Sequence, residues 1–152
     1  MGVELTILAI LIAPFLVTLG VVRSPNDPRA VAAGRLGLAA AFVFFAAGHF
    51  MATQAMRTML PPFIPEPELI VYATGIVEAL IAIGLILPAT RRLAGILAIC
   101  VFIAFYPANI YAAFMRADVI GHAWGPAYLL IRTPFQVLLI FWAWWFVVRP
   151  AR

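Results

Sequence analysis

The sequence predicts an all-α integral membrane protein: a four-helix transmembrane bundle with one additional N-terminal transmembrane helix. Three observations carry that reading. Hydrophobic residues make up 66% of the 152-residue chain and charged residues only 11%, whereas a soluble domain carries roughly 25% charge. The apolar residues gather into five runs, each close to the roughly 20 residues that a helix needs to cross a bilayer. All ten basic residues are arginine and, Arg132 apart, they flank those runs. The chain's net charge of +4 therefore points to the membrane surface and not to nucleic acid.

The first run, about 3–22, closes at Arg23-Ser24-Pro25-Asn26-Asp27-Pro28, a turn segment. It has no basic leader, carries Glu4, and offers no small-x-small cleavage site before Arg23. The expectation is a retained helix, kinked at Pro14, and not a signal peptide. The second run is about 31–52, with Arg35 near enough to its start to snorkel. Between it and the third lies 53–67, where Pro61, Pro62 and Pro65 forbid a helix while Leu60, Phe63 and Ile64 are too apolar for open water. This piece reads as an interfacial or re-entrant wedge. The third run, about 69–87, is closed by Pro88 and Arg91-Arg92. The fourth is about 93–114, with Pro107 near its far end, and the fifth about 126–148. Two units follow: residues 1–29 hold the first helix and its turn, and 30–152 the four-helix membrane domain.

Five spans place Arg23, Arg29, Arg35, Arg91, Arg92, Arg149 and Arg152 on one side, against Arg57 and Arg116 on the other. The positive-inside rule then puts the N-terminus outside and the C-terminus in the cytoplasm, and the expected location is a bacterial inner membrane. Trp142, Trp144 and Trp145 read as an inner aromatic belt, Trp124 and Tyr128 as residues nearer the outer one. The single cysteine, Cys100, excludes an intrachain disulfide and CxxC chemistry and reads as a small core hydrophobe.

The candidate site starts at Glu78, which sits near the middle of the third run. A carboxylate at that depth costs roughly 2.5–3.5 kcal/mol on insertion scales unless it is paired or protonated. At 1.5 Å per residue Glu78 lies roughly 14 Å from the outer start of its helix, and Arg132 roughly 9 Å from Pro126. His49 and Asn109 fall toward the outer ends of the second and fourth spans. Tyr128, Arg132 and Gln136, at i, i+4 and i+8, form a polar ridge that cannot face lipid cheaply. Five residues from four spans, His49, Glu78, Asn109, Arg132 and Gln136, thus share the outer half of the bilayer and form the candidate ligand pocket.

Each has a structural alternative. Glu78 and Arg132 could be a register-fixing ion pair in place of a ligand-binding or proton-handling group. His49 could bond its own helix end or donate to a ligand oxygen. The Asn109 amide could satisfy a carbonyl freed by Pro107. Tyr106 and Tyr111 read as belt or packing residues, and His122 as an exposed loop residue. No catalytic residue is assigned, and no metal site: His49 and His122 lie on separate segments.

Five ordered motifs resemble one family. Phe45-Ala46-Ala47-Gly48-His49-Phe50 and Leu60-Pro61-Pro62-Phe63-Ile64-Pro65 are followed by Thr74-Gly75-Ile76-Val77-Glu78 with its continuation Gly84-Leu85-Ile86-Leu87-Pro88. Pro107-Ala108-Asn109-Ile110 and Arg132-Thr133-Pro134-Phe135-Gln136 complete the set. Over about 36–146 the chain resembles the DoxX and DoxX-like membrane proteins. The resemblance implies a four-helix bundle made of spans two to five, with the first span an addition. It also implies an oxidoreductase association, because relatives include the small subunit of a thiosulfate:quinone oxidoreductase and a member linked to oxidative-stress enzymes. On that reading no cofactor is intrinsic, a quinone is the implied ligand, Arg132 or His49 polarises its carbonyl, and Glu78 handles the proton. Electrons would come from a partner redox subunit; membrane lipid and a second copy of the chain are the other expected partners. A second function class stays open: a non-catalytic scaffold or assembly factor, since a receptor-assembly chaperone is also similar to this family.

Overall fold

The computed structural model describes residues 2–22, 24–115 and 122–149, the last stretch without the side chains of His122 and Ala123. Among the described residues every regular element is helical: α1 (Gly2–Val22), α2 (Pro28–Met51), α3 (Thr53–Arg57), α4 (Pro67–Ile86), α5 (Arg91–Phe114) and α6 (Leu129–Ala143). A 3₁₀ turn over His122–Tyr128 leads into α6, and a π-helical turn over Trp144–Val148 continues it. Five stretches are long and apolar enough to cross a membrane: α1, α2, α4, α5 and Trp124–Val148. The chain is thus an all-helical protein with the five apolar helices of an integral membrane protein, and their outward faces carry exposed Leu69, Leu80, Ile103, Leu130 and Val137.

Local chemistry fixes the helix ends. The Asp27 carboxylate accepts the Arg29 N–H at 2.8 Å, and Pro28 starts α2, where its missing N–H costs nothing. Pro67 does the same for α4, entered through Glu66 in the left-handed region at φ 48°. Pro107 does not end its helix; α5 runs through it to Phe114. The segment 53–67 splits: α3 fills its first turn, and the proline-rich remainder is irregular, with Phe63 83% exposed.

Helix α2 is the hub, packed most extensively against α4 and α1 and also touching α6 and its π turn. Lipid offers no hydrophobic drive between helices, so close approach at small residues has to supply the packing. At Gly37 a Cβ would stand 2.2 Å from the Leu11 carbonyl oxygen and 3.3 Å from that of Ile10. Pro14 has no N–H for the Ile10 carbonyl, and the bare backbone of α2 at Gly37 covers this stretch of α1. The core continues inward through Leu38, Phe42, Leu85, Ala98, Phe102, Leu139 and Trp142.

Two expectations need correction here. Trp142 is not a belt residue: it is buried, and its indole N–H donates to the Gly34 carbonyl at 2.8 Å. Cys100 is not core but exposed. The buried stripe of α5 passes through Ala94, Ala98, Phe102 and Asn109, and Cys100, two residues past Ala98, falls on the opposite side.

Candidate functional site

The extensive α2–α4 interface brings His49 to Glu78. His49 Nδ1 lies 2.9 Å from Glu78 Oε2 and 3.0 Å from the Phe45 carbonyl oxygen, one turn back. Glu78 is only 3% exposed. Gly75, one turn before Glu78 on α4, makes the approach possible, because a Cβ there would sit 2.8 Å from His49 Cβ. The Thr53 hydroxyl donates to the His49 carbonyl at 2.6 Å, tying the C-terminal end of α2 to the start of α3. The Phe105 ring of α5 lies beside the imidazole, centroids 6.2 Å apart.

This pair differs chemically from the Glu78–Arg132 ion pair that depth alone allowed. Arginine never releases its proton, so such a pair holds one charge state; imidazole and carboxylate can pass a proton between them while the pair stays neutral overall. His49 Nε2 makes no hydrogen bond among the described residues, and 14% of the side chain is exposed. One imidazole edge therefore bonds the Phe45 carbonyl and lies at ion-pair distance from the buried Glu78 Oε2, which has no directed hydrogen bond of its own, and the other edge makes none among the described residues.

The remaining candidates do not join that pair. Asn109 donates its side-chain N–H to the Phe105 carbonyl at 2.8 Å. It therefore does not cap the carbonyl freed by Pro107, which in an α-helix belongs to Ile103. Gln136 donates to the Phe102 carbonyl and so ties α6 to α5. Arg132 belongs to a second cluster. Its guanidinium feels Tyr128, Glu4 and Tyr106, stands 5.9 Å from the Phe135 ring centroid, and has a buried Nε without a hydrogen-bond partner. At its borders the Tyr128 hydroxyl donates to Glu4, and the Tyr106 and Thr133 hydroxyls share a hydrogen bond.

Glu4 is the participant that sequence reasoning passed over. It starts α1 and is 6% exposed. The signal was present: the outer end of the ridge at Tyr128 needs a polar partner, and Glu4 lies at a helix end of matching depth. Its use as evidence about a leader sequence hid that role.

Two cavities border these helices without including either cluster. One, about 370 Å³, is an apolar groove between α2 and α4 lined by Ala46, Phe50, Ala79 and Ile83. The other, about 440 Å³, lies under the proline-rich segment beside Arg57 and Pro61, where Arg57 approaches Glu68 at 3.7 Å.

No curated protein matches this chain, and no solved structure does. One family model does match, over residues 38–147. The matched stretch begins within α2, ends in the π turn, and contains His49, Glu78, Asn109, Arg132 and Gln136, while α1 and Glu4 fall outside it. The chain belongs to the family described as Domain of unknown function (DUF8561).

Proposed function

We propose that this protein is a DoxX-like membrane subunit that binds a membrane-soluble carbonyl compound, a quinone, against the His49–Glu78 pair and manages the proton there. The observation that carries this reading is the 2.9 Å approach of His49 Nδ1 to a carboxylate buried between two helices, with Nε2 left open. The open edge hydrogen-bonds a ligand oxygen, and the Nδ1 edge communicates with Glu78. Phe105 beside the imidazole offers a flat apolar wall suited to an aromatic ring. Reduction of a quinone takes up two electrons and two protons. In this proposal the chain contributes the protonic side only, and the electrons come from a partner redox subunit. The order of the five motifs, from Phe45–Phe50 to Arg132–Gln136, supports the DoxX-like assignment. The arginine distribution supports an N-out, C-in orientation in a bacterial inner membrane.

One observation favours the scaffold reading instead: neither cavity is lined by His49 or Glu78. Native mass spectrometry of the detergent-purified chain, with solvent extraction of what co-purifies, separates the two. A stoichiometric quinone that disappears in Glu78→Gln and His49→Ala supports the proposal. A chain that carries only bulk phospholipid sinks it and leaves the assembly-factor role.

A further inference from the structure

The opposite end of the bundle, where α2 and α5 begin, carries a cationic pair that none of this uses. Gly34 of α2 packs on Phe146, where a Cβ would come within 2.6 Å of the ring, and Gly95 of α5 packs equally closely on Val147. The π turn therefore holds both helices against one short segment. Arg35 follows Gly34, and Arg91 precedes Gly95 by one turn on the same face. Both arginines therefore lie at one end of the bundle, carried by helices that meet adjacent residues, Phe146 and Val147, of that turn. Neither makes a hydrogen bond or ion pair among the described residues, and Arg91 Nε is buried without a partner.

Nothing nearby among the described residues neutralises them. Among the described residues this end holds Arg29, Arg35, Arg91, Arg92 and Arg149 against one acid, Asp27. Asp27 is engaged at the start of α2. Arg149 is engaged too, its guanidinium 3.6 Å from the centroid of the Trp145 ring and bonded to Asn26. The first turn of α5 contains no acidic residue. Two half-buried arginines around one turn, one with a buried unpartnered Nε and neither with a counter-ion among the described residues, suit an anion that both forks can reach.

We propose that Arg35 and Arg91 bind the phosphate of an anionic phospholipid whose acyl chains lie along the bundle. Phosphate is the shared chemistry. The lipid is the source because Arg35 lies in the first half of one helix apolar enough to cross a membrane and Arg91 opens another, and the excess positive charge at this end selects a net-negative headgroup. The proposal is independent of the His49–Glu78 reading, since it uses other residues at the other end of the helices.

The test is titration of the delipidated full-length chain in detergent with phosphatidylglycerol, phosphatidylcholine of the same chains, and inorganic phosphate. The readouts are thermal stability from tryptophan fluorescence and retained lipid in native mass spectra. Phosphatidylglycerol is expected to raise the melting temperature and to be retained. Loss of one charge-assisted contact in Arg35→Gln or Arg91→Gln should weaken that binding about tenfold to a hundredfold. The lipid-free variants should melt no lower than the parent, because the residue removed has no counter-ion among the described residues. Arg92→Gln, which removes the same charge from an exposed neighbour, should bind as the parent does. If Arg91→Gln does not fold, Arg91→Lys retains the charge, loses the fork, and should still weaken binding. Equal responses to the two lipids, or equal losses in Arg91→Gln and Arg92→Gln, would overturn the site. Saturation by inorganic phosphate that blocks phosphatidylglycerol would overturn the lipid as its source.

Discussion

His49 Nδ1 stands 2.9 Å from Glu78 Oε2, so the buried carboxylate of α4 is answered by α2 and not by Arg132 of α6. The consequence is both energetic and chemical. The pair needs no net charge in the bilayer, and it contains two groups that can each take up and release a proton, where an arginine partner would leave one at most. It also separates the polar residues of this half of the bundle into two independent clusters, each with its own mutational signature.

The pair itself is tested by a double-mutant cycle. His49→Leu leaves a carboxylate buried without its partner and should cost about 3–5 kcal/mol. Adding Glu78→Leu should restore most of that loss, since two apolar side chains then face each other between α2 and α4. Glu78→Gln keeps the shape and an acceptor oxygen beside Nδ1 while removing the charge, and should cost no more than about 1.5 kcal/mol. Equilibrium unfolding in mixed micelles reads all three, and strictly additive single effects would mean that the two residues do not interact.

Arg132→Leu should leave His49 and Glu78 undisturbed. Its effect on stability should add to that of Glu78→Gln within about 0.5 kcal/mol, as for sites that share no partner. A coupling well above that value would place Arg132 on the carboxylate after all.

Gly75→Ala isolates the close approach on which the pair depends. Alanine is the better helix former by about 1 kcal/mol, yet its methyl would sit 2.8 Å from His49 Cβ. Overpacking of this kind costs roughly 1–3 kcal/mol, so the variant should be destabilised and the histidine ring signals should shift in nitrogen NMR spectra. Gly20→Ala serves as the control, because a Cβ there meets nothing within 4 Å; it should be neutral or stabilising. Unchanged ring signals in Gly75→Ala would refute the role given to this glycine.

How much of this could be read from the chain depends on the kind of information involved. The five spans were legible because hydropathy and proline punctuation act along one dimension, and α1, α2, α4 and α5 begin and end within three residues of the expected limits. Relative level along the helices was legible for the same reason, and it set His49 and Glu78 at matching heights, where the structure brings them together. The partner of Glu78 was not, since His49 and Arg132 lie at compatible depths and only the neighbour order of the helices decides between them. That order rests on close contacts such as Gly75 with His49 and Gly37 with Leu11, which leave no periodic trace. Trp142 was misread because its rank among three tryptophans suggested a belt, whereas the Gly34 carbonyl that it bonds lies 108 residues away.

The tie between α1 and the 3₁₀ turn that leads into α6 gives the last prediction. Tyr128 is 2% exposed and its hydroxyl donates to Glu4, while α1 otherwise presents Leu5, Leu16, Val17 and Val21 outward. Tyr128→Phe keeps the ring and removes one donor to a buried carboxylate, which should cost about 1–3 kcal/mol. The loss should be local, because α1 lies outside the stretch shared with the family and rests mainly on α2. Hydrogen exchange in the first two turns of α1 should accelerate, with α4 and α5 unchanged. Tyr106→Phe provides the comparison: it breaks the bond to Thr133 between α5 and α6 and should leave exchange in α1 as it was. If both variants loosen α1 equally, Glu4 and Tyr128 are not what fastens the first helix to the bundle.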